Sequence, residues 1–502
     1  MSSARPPRPT DSSDTAATTI DRRKFITVAG LGAGMLLAGA CNSDEQIVPG
    51  LIEKRRLPLI GRSNAKVVVV GAGAFGGWTA YHLRRAGANV TLVDIWGAGN
   101  SRSTSGDETR GVRSSYGERE GGELWMLWAR EALSRWRKWD EEWSKDMKVG
   151  LFHTTGDLIM RTDWDTLTTK TKALWEKHNI KHEVLTTAEV KKRWPVFKID
   201  DITVTISEPD AGVVRARRAT QVVAAAYEKL GGTVVLGRAH ISKMTNRKVE
   251  ELTLDTGEKL TADVFVFACG AWLGKVFPEL LGDKMRAPMG YVSYFATPPG
   301  DQRFTHPNLP SWNFPGVTGW AALPVDSRGF RVRGGSRNAA GGTSGSPGVA
   351  ARPVTGKARR RPDALQAPAD PRQMDPDLSD RWADAARLEG PRNLLIQRFP
   401  DLKDAPLNET RSCHYEITSS SNFIVDNHPQ MTNVWIAGGG NAEGFKFGPV
   451  IGDYIAQRVL GDEGDPIVAK TFTVPAKGFD AQQPVPTPMA AGPPRTTKTN
   501  KR

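Results

Sequence analysis

Three short stretches carry residue types able to do chemistry. In KVVVVGAGAFGGWTAYHLRRAGANVTLVD, Gly71, Gly73 and Gly76 form G-x-G-x-x-G between a run of valines and a helical pattern, and Asp94 ends the next apolar run. That order suits a dinucleotide: Gly71 permits the tight turn, Gly73 lets backbone approach a pyrophosphate, Gly76 allows close helix packing, and Asp94 reaches a ribose hydroxyl. Ala74 and Phe75 lie where the helix opens, and its unpaired N–H groups and positive dipole end favour phosphate. A carboxylate at Asp94 repels a 2′-phosphate, which favours FAD or NAD over NADP.

The second stretch is SGDETRGVRSSYGE, where Arg110 and Arg113 stand three apart. On one helical turn they would share a face, and a guanidinium grips a carboxylate through two parallel hydrogen bonds. Ion pairs to Asp107 and Glu108 are the other reading of the same residues. The third is NETRSCHYEITSSSNFIVD, which places Cys413, one of only three cysteines, in a polar segment before an apolar strand. By itself it reads as a free buried thiol, or as half of a disulfide with Cys269 in an oxidising compartment.

The elements that must position these residues alternate strand and helix. A strand through Val70 leads to a helix from about Phe75 that Gly87 stops. Leu124, Trp128, Ala132, Trp136, Trp139 and Trp143 recur at helical spacing, a stripe that reads as core packing. RRATQVVAAAYEKLGGTVVLG predicts a helix stopped by Gly231 and Gly232 and a strand from Thr233 to Leu236. A hairpin turning at Asp255-Thr256-Gly257 precedes a buried strand ending at Ala268. Near the end come a strand, a glycine turn, and a helix with Pro449 near its start and Gly461 past its end. The expected fold is α/β (α+β). A Rossmann-type nucleotide-binding domain is assembled from 64–139, 203–285 and 420–472, with a mixed-sheet substrate domain from 140–202 and 286–419.

The 502 residues, 39% hydrophobic, suffice for one large core or two ordinary ones. The net charge of +13 is concentrated: Arg331 to Arg361 holds eight basic residues and no acid, in a Gly/Ser/Pro-rich segment. Residues 334–370 therefore read as a flexible basic insertion, and without an aromatic-interleaved basic stripe nucleic acid is excluded as a partner. The first 41 residues look like an address label, with Arg22-Arg23, an uncharged run from Phe25 to Ala40, and Ala38-Gly39-Ala40 before Cys41. That run is shorter than the roughly 20 residues of a spanning helix. It resembles a twin-arginine export signal with a lipobox-like end, so that Cys41 carries lipid; the alternatives are cleavage without lipid and retention as a short anchor. Residues 42–63 read as a linker and 473–502 as an unstructured tail.

Together with EPDAGVV, ACGAW and EGFKFGPVIGDYIA, these stretches resemble, in this order, the monomeric sarcosine oxidase group of FAD-dependent amine oxidoreductases related to D-amino acid oxidase. The resemblance runs from Val67 to about Leu460, interrupted by the basic insertion. It implies FAD, joined covalently through Cys413; a thiolate near basic groups is a good nucleophile toward the electrophilic ring methyl carbon. It further implies that Arg113 and Lys446 hold a substrate carboxylate, that Tyr415 is an active-site tyrosine, and that Arg110 lies beneath the flavin ring. Val234, Gly270, Gly444 and Phe445 would join the glycine loop in holding the cofactor. The helix beginning near Gly448 and Pro449 would turn its positive end to the pyrimidine edge.

The sequence also departs from that pattern. GDETR is one residue longer than the family's run, and Thr104 or Ser105 replaces a histidine. Arg331 stands where the oxidases carry a lysine that helps reduced flavin react with oxygen, and arginine is bulkier and effectively never loses its proton. Ala321 replaces a substrate-contacting tyrosine, which implies a larger pocket. The implied activity is oxidation of the C–N bond of a secondary or N-substituted amino acid by hydride transfer to flavin, followed by imine hydrolysis. Electrons then pass to oxygen or to a quinone or carrier at the membrane. A flavin-bearing scaffold without turnover is the reading from another class.

Overall fold

Four consecutive valines, Val67 to Val70, are buried in turn against two different layers, because successive side chains of a strand point to opposite faces. Val67 and Val69 join the helical layer; Val68 and Val70 meet the apolar side chains of Phe265, Leu252 and Phe277. The computed structural model describes residues 64–325, 327–334, 371–383 and 385–479. The address label 1–41, the linker 42–63 and the insertion from 335 to 370 lie outside the described residues, as does the tail beyond 479.

The sheet of that strand has six members: β1 (Lys66–Val70), β2 (Asn89–Asp94), β3 (Thr233–Leu236), β4 (Val264–Phe267), β5 (Ile424–Asn427) and β6 (Val434–Gly438). Their order is β5-β6-β4-β1-β2-β3, parallel throughout except for the β5–β6 pair. Helices α1 (Ala74–Arg85), α2 (Gly122–Met147), α3 (Ala216–Lys229) and α4 (Gly448–Val459) contribute the helical layer. The tryptophan stripe of α2 is core, as its spacing predicts: Trp128, Trp136, Trp139 and Trp143 are buried, and Trp136 meets Trp78 of α1 edge to face at 5.6 Å.

A second, mixed sheet of eight strands runs in the order 407–414, 289–295, 330–334, 317–320, 311–314, 157–161, 204–208, 183–185. Its apolar face closes on Phe304, Trp312, Phe330 and Phe399. Val204–Glu208, assigned from sequence to the nucleotide-binding part, belongs to this second sheet and pairs with Asp157–Arg161. Gly334 ends a strand here instead of opening the insertion. Residues 473–479 are not loose tail either: the Val474 N–H donates to Asp426 at 3.0 Å, and the Arg286 guanidinium lies 4.1 Å from the Phe479 ring centre.

A three-stranded sheet links the chain from the glycine loop to the second sheet, pairing Arg110–Val112 with Gly212–Val214 and that strand with Phe152–His153. This corrects the expectation of a shared helical face for Arg110 and Arg113. The segment between them is extended, and three positions apart on a strand point to opposite sides.

Candidate cofactor and substrate site

A cavity of about 500 Å³ opens at the carboxyl ends of β1, β2 and β4, where the glycine loop enters α1. Gly71 has φ +107°, and a Cβ there would stand 2.3 Å from the Ala268 carbonyl oxygen. At Gly76 a Cβ would stand 1.8 Å from the Gly71 carbonyl oxygen, so Gly76 supports the turn from beneath and does not line the cavity. Gly73 faces the opening, and nothing closer than the Ser105 hydroxyl at 3.5 Å would meet a Cβ there. Asp94 is fixed at the rim by the N–H groups of Ala72 (2.8 Å) and Trp96 (2.9 Å). Burial raises its pKa against the pull of those bonds. The rings of Trp96 and Trp272 lie 5.4 Å apart on the same wall. No acidic residue stands in the first turn of α1, whose start is left positive.

At the other end the cavity is lined by Arg110, Tyr415, Gly444 and Phe445, with Gly270 between. Arg110 is ion-paired with Asp107, as one of the two sequence readings required, and donates to the carbonyls of Thr104 (2.7 Å) and Thr109 (2.8 Å). Its Nη2 stands 3.8 Å from the Cys413 sulfur. Asp107 also accepts the Tyr294 hydroxyl at 2.8 Å and faces Arg331 Nη2 at 3.4 Å. Burial pushes its pKa up, but the two guanidinium groups hold it well below the usual carboxylate range. Glu108 goes elsewhere, to the Arg328 N–H at 2.9 Å.

Lys446 leaves the turn before α4 and is buried, its Nζ donating to the Tyr116 hydroxyl at 2.6 Å. The Trp136 indole holds the Lys446 carbonyl at 2.8 Å, tying that turn to the α2 stripe. Burial lowers the Lys446 pKa to about 8; Glu443, 4.0 Å away, opposes this, and Arg113, Arg119 and Arg333 reinforce it. Arg113 Nε stands 3.9 Å from Asp157, whose other oxygen accepts from Ser311 at 2.8 Å. Arg113 and Lys446 thus converge from opposite ends of the sequence, and both charges act on Glu443.

Other sequence expectations land differently. Cys413 and Cys269 are both free thiols, so the disulfide alternative falls; Cys269 sits against the Val70 carbonyl, and burial raises its pKa to about 12. Val234 packs against the helical core instead of lining the cavity, whose wall there comes from Gly237 to Ile241. Ala321 is buried in the core of the second sheet. Its neighbour Trp320 points to the other side, its indole N–H donating to the Thr109 hydroxyl at 3.0 Å and its ring lying under the Arg331 guanidinium at 4.0 Å.

The roles of three neighbours escaped the sequence. Ser105 takes the Ala74 N–H at 3.0 Å, Tyr116 bridges to Lys446, and Glu416 is a buried carboxyl in the cavity wall whose pKa burial raises. All three stand in the quoted stretches, Ser105 and Tyr116 in the arginine one and Glu416 beside Tyr415, but their partners are not legible there: that of Tyr116 lies 330 residues away.

These residues fit FAD. Gly71 and Gly76 form a cradle that a Cβ would fill, Asp94 points a carboxylate at a ribose position, and the α1 start offers dipole and backbone for a pyrophosphate. A family model described as DAO, FAD dependent oxidoreductase, matches residues 66–458. Monomeric sarcosine oxidase from Bacillus sp. (strain NS-129) is 26% identical over 403 residues, covering 78% of this chain and 92% of that protein. N-methyl-L-tryptophan oxidase from Yersinia pestis (strain Pestoides F) is 21% identical over 410 residues, covering 81% and 98%. The solved structure of fructosyl peptide oxidase from E. terrenum shares the fold, with a TM-score of 0.66 at 20% identity over 83% of this chain and 94% of that one. The family match takes in both sheets and every cavity residue named above, and the chain belongs to the DAO family of FAD-dependent oxidoreductases.

Proposed function

We infer that this chain oxidises the C–N bond of a secondary or N-substituted amino acid, with FAD tethered at Cys413. The reading is carried by one observation: Lys446 donates to the Tyr116 hydroxyl, and the charge of Arg113, 333 positions away in the sequence, is felt at both, next to the cavity end that Tyr415 and Phe445 line. A carboxylate held by both would place the rest of a small amino acid toward that end, and fixed orientation of this kind supplies much of the rate. When bound, the flavin accepts hydride from the carbon next to nitrogen, and water hydrolyses the resulting imine. Arg110, pinned by Asp107 and 3.8 Å from Cys413, would hold the tethered ring in place. The start of α4, with no acid in its first turn, would stabilise negative charge at its positive end. The relatives' names, sarcosine oxidase and N-methyl-L-tryptophan oxidase, support the N-substituted class. The test is anaerobic bleaching of the yellow protein by a panel of N-methyl and N-alkyl amino acids. Bleaching by at least one is expected; a flavin that stays oxidised with all of them sinks the reading.

A second reading of the acceptor is favoured by Arg331. It is 1% exposed, stacked on Trp320 and facing Asp107, a fixed charge in place of a lysine. Electrons would then leave to a quinone or carrier, in keeping with the twin-arginine stretch and Cys41, which support export and lipid attachment. Peroxide formed in step with substrate consumption in air would favour oxygen; trace peroxide with rapid dye or quinone reduction would favour a carrier.

A further inference from the structure

The charges around the Tyr415 end do not balance. Strand 330–334 sends Phe330 and Val332 into the apolar core of the second sheet, so Arg331 and Arg333 share the opposite face. Arg331 keeps Nε and Nη1 without a hydrogen-bond partner among the described residues. Arg333 is partly buried, its guanidinium carbon is 5.9 Å from the centre of the Tyr415 ring, and its guanidinium makes no ion pair or hydrogen bond to a described residue.

The neighbouring carboxylates are already engaged. Asp107 serves Arg110 and Arg331, Asp157 faces Arg113, and Glu443 lies 3.3 Å from Arg119 and 4.0 Å from Lys446. A guanidinium partly withdrawn from water with only a ring beside it lacks the carboxylate that would offset its lost hydration. One substrate carboxylate satisfies Arg113 and Lys446. It leaves Arg333 unanswered, although the charge of Arg333 is felt at Lys446. Tyr415 itself lines the cavity, so an anion reaching Arg333 would pass over the ring at the reacting end.

We propose that Arg333 is a second anion-recognition residue, and that the preferred substrate is an N-substituted amino acid with a further carboxylate. One carboxylate is held by Arg113 and Lys446, the other by Arg333. This rests on the amine-oxidation reading above and narrows its substrate class to dianions.

The test uses the flavin-loaded enzyme and two thioethers that have no amine to oxidise, thiodiacetate and (methylthio)acetate, with binding read from the perturbed flavin absorbance. The diacid is expected to bind roughly ten- to a hundredfold more tightly, the worth of one charge-assisted hydrogen bond. In Arg333→Gln the ratio of the two affinities falls toward one, and Arg333→Lys keeps part of it. Equal affinities in the native enzyme overturn the proposal. So does a ratio that Arg333→Gln leaves unchanged, including the case where both acids weaken together as a structural role would have it. If neither acid perturbs the flavin although some N-substituted amino acid of the panel bleaches it, this proposal falls alone; if none of the panel bleaches it, the amine-oxidation reading fails and this proposal goes with it.

Discussion

At the scale of single residues, Lys446 links burial to pH. Its pKa is lowered to about 8 because its ammonium is buried, and Glu443 does not make up the loss. Below about pH 8 it is charged and can hold a carboxylate; above, it is neutral. A thioether acid, which has no amine of its own to titrate, is therefore expected to bind more weakly as pH rises past about 8, and Lys446→Met should abolish that dependence. The linkage to stability has the opposite sign. Between pH 8 and the ordinary lysine range the unfolded chain binds the proton and the folded one does not, so the Lys446 contribution to stability rises with pH. Cys413, beside Arg110, gives the second prediction: colour stays with acid-precipitated native protein, and in Cys413→Ala it passes to the supernatant. Colour released equally from both would rule out the tether.

The strand–loop–helix element that starts the cofactor cavity shows two adjacent glycines doing different jobs. Helix propensity alone favours alanine over glycine by about 1 kcal/mol. At Gly77 the nearest atoms to a Cβ are 3.6 Å away, ordinary contact, so Gly77→Ala should be neutral or raise stability by up to about 1 kcal/mol. At Gly76 the Gly71 carbonyl oxygen stands 1.8 Å from that position, and backbone cannot swing aside as a side-chain tip can. Gly76→Ala should lose about 3 kcal/mol or more and most of its flavin. Thermal melts with flavin content measured on both variants check the pair. The glycine spacing made this element legible, because a tight turn leaves so few alternatives. The arginine stretch left helical turn and ion pairs both open, since three residues of strand between two polar turns have no period to detect.

For the molecule as a whole, the twin-arginine stretch and the cofactor argue together. A flavin held in a cavity walled by separated parts of the chain is loaded as folding completes, which suits a route that carries folded proteins. Replacing Arg22 and Arg23 by lysine is expected to leave flavin-loaded protein in the cytoplasm, seen by fractionation and flavin fluorescence. Undiminished export would reject the signal.

What the sequence determined by itself was local. A run of valines, three spaced glycines and an acid at the next strand end specify a nucleotide-binding turn, because each acts on neighbours within a few residues. The helical period of the α2 tryptophans was equally plain. Which distant residues meet was decided only by the tertiary structure: Lys446 with Tyr116, Cys413 with Arg110, and Arg333 with Tyr415. Those pairs sit on strands and turns far apart in the chain, so register and sheet order decide their distances. For the same reason Val234 and Ala321 missed the site, since a strand sends alternate residues to opposite faces and a shift of one or a few positions moves the assignment to another wall.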